Sequence, residues 1–153
     1  MLARVMFGVM NWAARKGLAN EPPAAPGGVK QHARQTGVRG ETYAYWYLRR
    51  HGYIMVARNF TSRGLKGEID LVGYDGPTLA FVEVKTRTAA DREFGVPEQA
   101  VTLEKQRNLS RVARQFLSER RIAETACRFD VLAIEAPAGR RPTVRLHKGA
   151  FAA

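Results

Sequence analysis

The chain has 153 residues, the length of a single domain whose core needs no metal or disulfide to fold. Its 25 Lys and Arg against 14 Asp and Glu give a net charge of +11, so the surface should attract polyanions, nucleic acid above all. The single cysteine, Cys127, excludes an internal disulfide and a Cys-based zinc site, and it favours a reducing compartment, the cytoplasm.

The first 36 residues differ from the rest of the chain. Apolar residues recur there at helical spacing, namely Leu2, Val5, Met6, Val9 and Ala13. The run "NEPPAAPGG" that follows is typical of a linker. We therefore predict a flexible, basic and amphipathic extension over residues 1–36 and a folded domain over residues 37–153. The apolar run 5–10 is too short for stable membrane insertion, so the extension could rest on a membrane, bind a partner or stay disordered.

The domain alternates helical and extended patterns. A helix is predicted over Arg39–His51, where Glu41 shares the apolar stripe, and a strand over Tyr53–Phe60. The segment Gly67–Arg87 reads as two strands joined by a turn at "DGP". A second helix follows over 99–121, with an apolar stripe of Leu109, Val112, Ala113, Phe116 and Leu117. A strand over 128–136 and a last strand over 143–151 complete the order. This order predicts an α/β fold, a mixed sheet with a helix on each side.

Charged residues interrupt the apolar segment "GEIDLVGYDGPTLAFVEVKTR". Side chains of a strand alternate between its faces, and directly opposed residues lie roughly 5 Å apart at Cβ. A four-residue turn over 75–78 would set Asp70 opposite Glu83 and Glu68 opposite Lys85. Two opposed carboxylates repel each other, and Mg²⁺ or Mn²⁺ would offset that repulsion, with Lys85 close to a bound phosphate or water. The alternative is a plain Glu68–Lys85 ion pair with both other acids at solvent-exposed strand positions.

These residues carry a resemblance. Asp70 followed by Glu83-Val84-Lys85 resembles the PD-(D/E)xK signature of restriction-endonuclease-like nucleases, with Ile69 in place of the proline. The segments "GETYAYWYLRRHGYIMVARNF", "GEIDLV", "FVEVKTR" and "RFDVLAIE", in this order, resemble the YraN-like family of small bacterial proteins. The likeness covers roughly residues 37–151 and implies a restriction-endonuclease-like core in αβββαββ order.

The resemblance also implies a site and a reaction. Related nucleases include the archaeal Holliday-junction resolvases. By this likeness, Asp70 and Glu83 would be metal ligands, and the Val84 carbonyl would complete the site. Lys85 would orient water or stabilise the charge that develops on the phosphate. Glu41 would be a further metal- or water-binding acid. The implied cofactor is Mg²⁺ or Mn²⁺.

Several basic residues are candidates for contacts with nucleic acid. Arg63 and Lys66 precede Glu68 in a glycine-bearing loop, and Arg87 follows Lys85. Lys105 lies on the side of its helix that faces the sheet, and it either approaches the site or extends along the helix end into water. A set of this kind does not distinguish DNA, RNA and acidic lipid.

The leading hypothesis is thus a Mg²⁺- or Mn²⁺-dependent nuclease acting on branched or damaged DNA. Cutting both strands of a branched substrate would need two sites, so a homodimer is plausible. Two alternatives stay open. One is a nucleic-acid-binding module that kept the fold and lost catalysis, and the other is an adaptor that binds a membrane or a protein through the N-terminal segment. Asp130, among apolar neighbours, is predicted to make a structural hydrogen bond.

Overall fold

A computed structural model describes residues 1–17, 29–88, 101–137 and 139–152 of the chain. The helices of this part are α1 (Leu2–Gly17), α2 (Val29–Arg50) and α3 (Leu103–Glu119). Its strands are β1 (Ile54–Phe60), β2 (Ile69–Asp75), β3 (Thr78–Thr88), β4 (Cys127–Ala136) and β5 (Thr143–Phe151). Among the helices just named, none combines the length and the apolar content needed to cross a membrane.

The strands form one five-stranded sheet in which they follow each other in chain order, β1-β2-β3-β4-β5. The pairs β1–β2 and β2–β3 are antiparallel. The predicted α/β fold with a mixed sheet is confirmed, and the arrangement is compatible with a restriction-endonuclease-like core. The strand bounds differ from those predicted by at most two residues: β2 begins at Ile69 instead of Gly67, and β3 ends at Thr88 instead of Arg87.

The β2–β3 hairpin has the predicted register. Tyr74 pairs with Leu79 and Asp75 with Thr78, and the ladder extends to Leu71 opposite Val82. The turn contains Gly76 with a φ of 58°, a left-handed conformation that costs glycine nothing. Continued by one residue beyond Leu71–Val82, the same register would set Asp70 opposite Glu83, and this pairing stays a prediction.

The chain divides into two compact units. The second unit contains residues 52–83, 101–131 and 147–152 of the described part. Its core lies between α3 and the sheet, where the helix buries the predicted stripe of Leu109, Val112, Ala113 and Phe116. These side chains meet buried residues of β2, β3 and β4, which are Ile69, Val72, Leu79, Phe81 and Phe129. The hydroxyl of Thr102 caps the helix by accepting from the Lys105 amide at 3.2 Å.

The first unit contains residues 1–17, 29–51, 84–88, 132–137 and 139–146. Phe7 of α1 is buried, with its ring 5.3 Å from that of Tyr43 on α2. The Tyr43 hydroxyl donates a 2.5 Å hydrogen bond to Asn11 Oδ1. Burial raises the pKa of Tyr43 to about 12. α1 is therefore fastened to α2, while the domain boundary at residue 37 stays a prediction.

Helix α2 begins ten residues earlier than predicted, at Val29 instead of Arg39. The sequence "VKQHARQTGV" lacks an apolar stripe, and periodicity therefore could not reveal it. It contains no proline, however, and Lys, Gln, Arg and Ala are good helix formers. Gly40 of α2 packs against Thr86 of β3. A Cβ at Gly40 would collide with the Thr86 Oγ1, so the glycine leaves room for this side chain.

Candidate metal site

Two carboxylates come together where β2 begins. Glu68 is exposed just before the strand, and Asp70 is half-buried as its second residue. Ile69 and Leu71 are buried in the core, which fixes the strand so that the two acids share the opposite face. Carboxylate oxygens of Glu68 and Asp70 lie within 4.8 Å of each other. Two oxygen donors at this separation can bind one hard cation.

Asn59 positions Glu68. Its side-chain amide donates a 3.0 Å hydrogen bond to Glu68 Oε1 from the end of β1. Asn59 has a φ of 47°, in the left-handed region that few residues other than glycine adopt. Asparagine tolerates this conformation better than most residues, and strained residues cluster at functional sites. No sequence pattern indicates a role for Asn59, and strand pairing predicts Glu68 only as the residue opposite Lys85.

Glu83 is the most buried acid of this group. It lies on β3, and only 7% of the residue is exposed to solvent. Its Oε1 forms an ion pair with Lys105 Nζ. Its second oxygen, Oε2, is buried and has no hydrogen-bond partner within the described part of the chain. Lys105 reaches Glu83 from the first turn of α3, and 44% of its side chain is exposed. Lys105 thus supplies one positive charge to a carboxylate that retains an unused acceptor.

The other predicted site residues lie on two elements, α2 and β3. Glu41 is half-buried on α2 in the first unit. Val84 and Lys85 follow Glu83 on β3, and both are half-buried. Lys85 is two residues from Glu83, so strand alternation puts both on the same face of β3. The ligand role of the Val84 carbonyl and the catalytic roles of Glu41 and Lys85 stay predictions.

The predicted nucleic-acid contacts are in part exposed. Arg63 and Lys66 are exposed in the loop between β1 and β2, where Lys66 Nζ lies 3.6 Å from Glu104 Oε1. Both partners of that pair face solvent, so it contributes little to stability and leaves Lys66 able to bind a phosphate. Arg87 is half-buried, and its Nη2 is buried without a hydrogen-bond partner among the residues described. A guanidinium nitrogen in this state can donate a hydrogen bond to an anionic ligand.

A second charged cluster lies at the β2–β3 turn. Asp75 Oδ2 accepts hydrogen bonds from Arg128 Nη2 and from Lys148 Nζ, both at 2.6 Å. The hydrogen bonds from Lys148 and then Arg128 lower the pKa of Asp75 to about 2. Arg128 Nε also donates to the fully buried Asp130 at 2.9 Å, and Asp130 Oδ1 accepts from the Gly149 amide at 3.0 Å. The predicted structural role of Asp130 is confirmed.

The sequence of this chain is similar to those of bacterial proteins of one family. The sequence model of a family described as "Uncharacterised protein family UPF0102" matches residues 40–134. A UPF0102 protein of Geobacter metallireducens is 43% identical over 120 residues, which are 78% of this chain and 94% of the relative. One from Geobacter sulfurreducens is 48% identical over 103 residues, 67% and 77% of the two chains. One from Symbiobacterium thermophilum is 43% identical over 119 residues, 78% and 98% of the two chains.

Proposed function

This chain belongs to the uncharacterised protein family UPF0102, and we propose from this premise that it hydrolyses phosphodiester bonds in DNA with the help of a divalent cation. The resemblance to the YraN-like family is confirmed by the same matches. The family is uncharacterised, so the reaction is argued from the residues of the site.

The buried carboxylate of Glu83 carries the proposal. A buried acceptor that lacks a partner costs about 1–3 kcal/mol, and more when it is charged. The Lys105 ammonium offsets part of this cost at Oε1, and Oε2 keeps its lone pairs available. Acids in a protein core are rarely left in this state unless a ligand completes them.

The donor set fits a hard divalent cation. Glu68, Asp70 and Glu83 offer only carboxylate oxygens, which suit Mg²⁺ and Mn²⁺ and do not suit softer metals. We assign Asp70 and Glu83 as the principal ligands and add Glu68, while Glu41 and the Val84 carbonyl are the further ligands that the resemblance implies. A divalent ion bound there would polarise a phosphate oxygen and acidify a water molecule.

Other residues of the chain would then bind and orient DNA. The Lys85 ammonium is a compact charge that can hold a phosphate oxygen or a water in line for attack. Arg63, Lys66 and Arg87 would hold backbone phosphates next to the acids. The net charge of +11 adds affinity that does not depend on sequence and falls with salt. No element that would read bases is recognisable, which favours selection of a branched or damaged structure.

The proposal is tested with labelled four-way junction, flap, duplex and single-stranded DNA, each with Mg²⁺, Mn²⁺ or EDTA. We expect metal-dependent cleavage that Asp70→Asn and Lys85→Met each reduce on the order of 10³-fold, because each removes charge stabilisation of several kcal/mol from the transition state. Asp75→Asn is the matched control, since it neutralises an acid of the same strand at the turn. Cleavage that survives Asp70→Asn, or that Asp75→Asn abolishes equally, would refute the assignment.

The ion pair between Lys105 and Glu83 supports a second candidate function, a DNA-binding module without catalysis. The ion pair with Lys105 gives Glu83 an internal cation, which is the state expected of a site that no longer binds metal. A DNA-binding module without catalysis would bind junctions equally well before and after Asp70→Asn and would cut nothing with any metal. Sedimentation of the junction complex would also show whether a homodimer forms, as two-strand cleavage would require.

A further inference from the structure

Helix α1 exposes an apolar face. Four large apolar residues at positions 2, 5, 9 and 12 follow each other at intervals of three, four and three residues, which places them along one side of the helix. Their exposed fractions are 66% for Leu2, 57% for Val5, 52% for Val9 and 61% for Trp12. Such a row of exposed side chains is unusual for a surface helix and marks a contact with something outside the chain.

The opposite side of α1 is already occupied. Phe7 is buried against Tyr43, and its ring centroid lies 5.8 Å from that of Tyr47. The Cζ of Arg50 lies over the Phe7 ring, 5.0 Å from its centroid. Because these contacts fasten α1 to α2, the helix cannot turn its outer face inward. α1 also precedes residue 40, where the match to the family begins, so the shared fold does not account for this face.

The charge of α1 selects among the possible occupants. Its sequence contains Arg4, Arg15 and Lys16 and no aspartate or glutamate. A second copy of the chain would bring two such helices together and add the repulsion of two molecules with a net charge of +11 each. DNA would match the charge, but it offers no aliphatic surface for leucine and valine side chains. An anionic bilayer surface offers both phosphate headgroups and acyl chains.

We propose that the outer face of α1, made of Leu2, Val5, Val9 and Trp12, docks peripherally on an anionic membrane surface. The aliphatic side chains enter the boundary between headgroups and acyl chains, Trp12 lies at the headgroup level, and the positive charge of α1 attracts the lipid phosphates. This binding is independent of the proposed nuclease reaction, since none of these residues belongs to the metal site.

The test measures binding of the full-length protein to sedimented vesicles of phosphatidylcholine with and without 30% phosphatidylglycerol. We expect binding to the anionic vesicles that weakens with salt and that the double substitution Val5→Glu/Val9→Glu reduces at least tenfold. Ile54→Glu/Val56→Glu is the matched control, because it introduces the same two charges at exposed apolar residues of β1 and should leave binding within about threefold of the unchanged protein.

A spectroscopic readout keeps the test decisive if the double substitution unfolds the protein. The chain has two tryptophans, so Trp46→Phe leaves Trp12 as the sole tryptophan, whose emission is followed with selective excitation. Its fluorescence should shift to shorter wavelength on anionic vesicles and stay unchanged with phosphatidylcholine alone or with duplex DNA.

Three outcomes would overturn the proposal. One is binding to anionic vesicles that Val5→Glu/Val9→Glu and the β1 control reduce alike, since the attraction would then be unspecific. The second is the absence of binding and of any Trp12 shift. The third is self-association that the α1 substitutions abolish, because a second copy would then occupy the face.

Discussion

The β2–β3 hairpin carries acids at both of its ends, and the two ends differ in how those acids are neutralised. At the turn end, Asp75 accepts from Arg128 and Lys148, and nearby Asp130 accepts from Arg128 and a backbone amide. At the open end are Glu68, Asp70 and Glu83, where Lys105 contacts Glu83 Oε1, and Glu83 Oε2 is buried without a hydrogen-bond partner in the described chain.

The difference separates an acid cluster that stabilises the fold from one that we propose binds a cation. Burying a charge is tolerated when other groups of the protein satisfy it, and the turn end meets that condition with groups from β4 and β5. At the open end, the described side chains leave the buried Glu83 Oε2 without a hydrogen-bond partner. The proposed divalent cation would satisfy this oxygen.

The largest effect on stability is expected at the turn end. Asp130→Ala should lower the free energy of unfolding by about 3 kcal/mol, because it removes a buried ion pair and leaves Arg128 only partly compensated. Asp70→Asn should lower it by less, because Asp70 is only half-buried, the amide keeps a side-chain oxygen, and the substitution relieves repulsion from Glu68. Urea unfolding of both variants measures the contrast. A loss for Asp70→Asn as large as that for Asp130→Ala would break the comparison between the two ends.

Asp130→Asn is the control for that experiment. It keeps an oxygen that can accept from the Gly149 amide and loses only the charge, so its effect should fall between those of alanine and the unchanged residue.

A smaller effect should follow from removing Lys105, the ion-pair partner of Glu83. Lys105→Met leaves Glu83 buried without a counter-ion and should cost about 2 kcal/mol in the presence of EDTA. Added Mg²⁺ or Mn²⁺ should restore more stability to this variant than to the unchanged protein, because the metal no longer competes with the ammonium. Thermal unfolding with and without metal measures this difference. Equal metal effects in both proteins would place the cation away from Glu83.

Lys66→Met is the matched control for Lys105→Met. Lys66 lies in the loop just before the acids and pairs with the exposed Glu104, so its loss should change neither stability nor the metal response by more than about 0.5 kcal/mol.

The fold could be predicted largely from the sequence because its hydrophobic periods are clear. Alternation and a turn with Asp75-Gly76 fixed the hairpin register, and the stripe of Leu109, Val112 and Phe116 identified the core face of α3. The first ten residues of α2 were missed, since a polar helix has no period to detect. The contacts that fasten α1 to α2 join residues about 30 positions apart and leave no local signal.

The site could be predicted only in outline. Strand geometry predicts Asp70 opposite Glu83, one residue beyond the last pair of the ladder, Leu71 and Val82. The hydrogen bond from Asn59 to Glu68 and the ion pair between Lys105 and Glu83 depend on side-chain positions that no periodicity encodes. Asp75 reads as a plain turn residue in the sequence, because aspartate is common in turns and its two partners lie 53 and 73 residues further along the chain.

The smallest effect concerns the pH dependence of the turn end. The pKa of Asp75 is lowered to about 2 from 3.8, so its contribution to stability is complete above pH 3.8 and disappears as the pH falls toward 2. Asp75→Asn should therefore cost about 1 kcal/mol at neutral pH and flatten the decline of stability between pH 4 and pH 2. Urea unfolding along that pH range measures both quantities. Asp70→Asn should leave this decline as steep as in the unchanged protein, and a flattening there instead would assign the charge-stabilised acid to the open end.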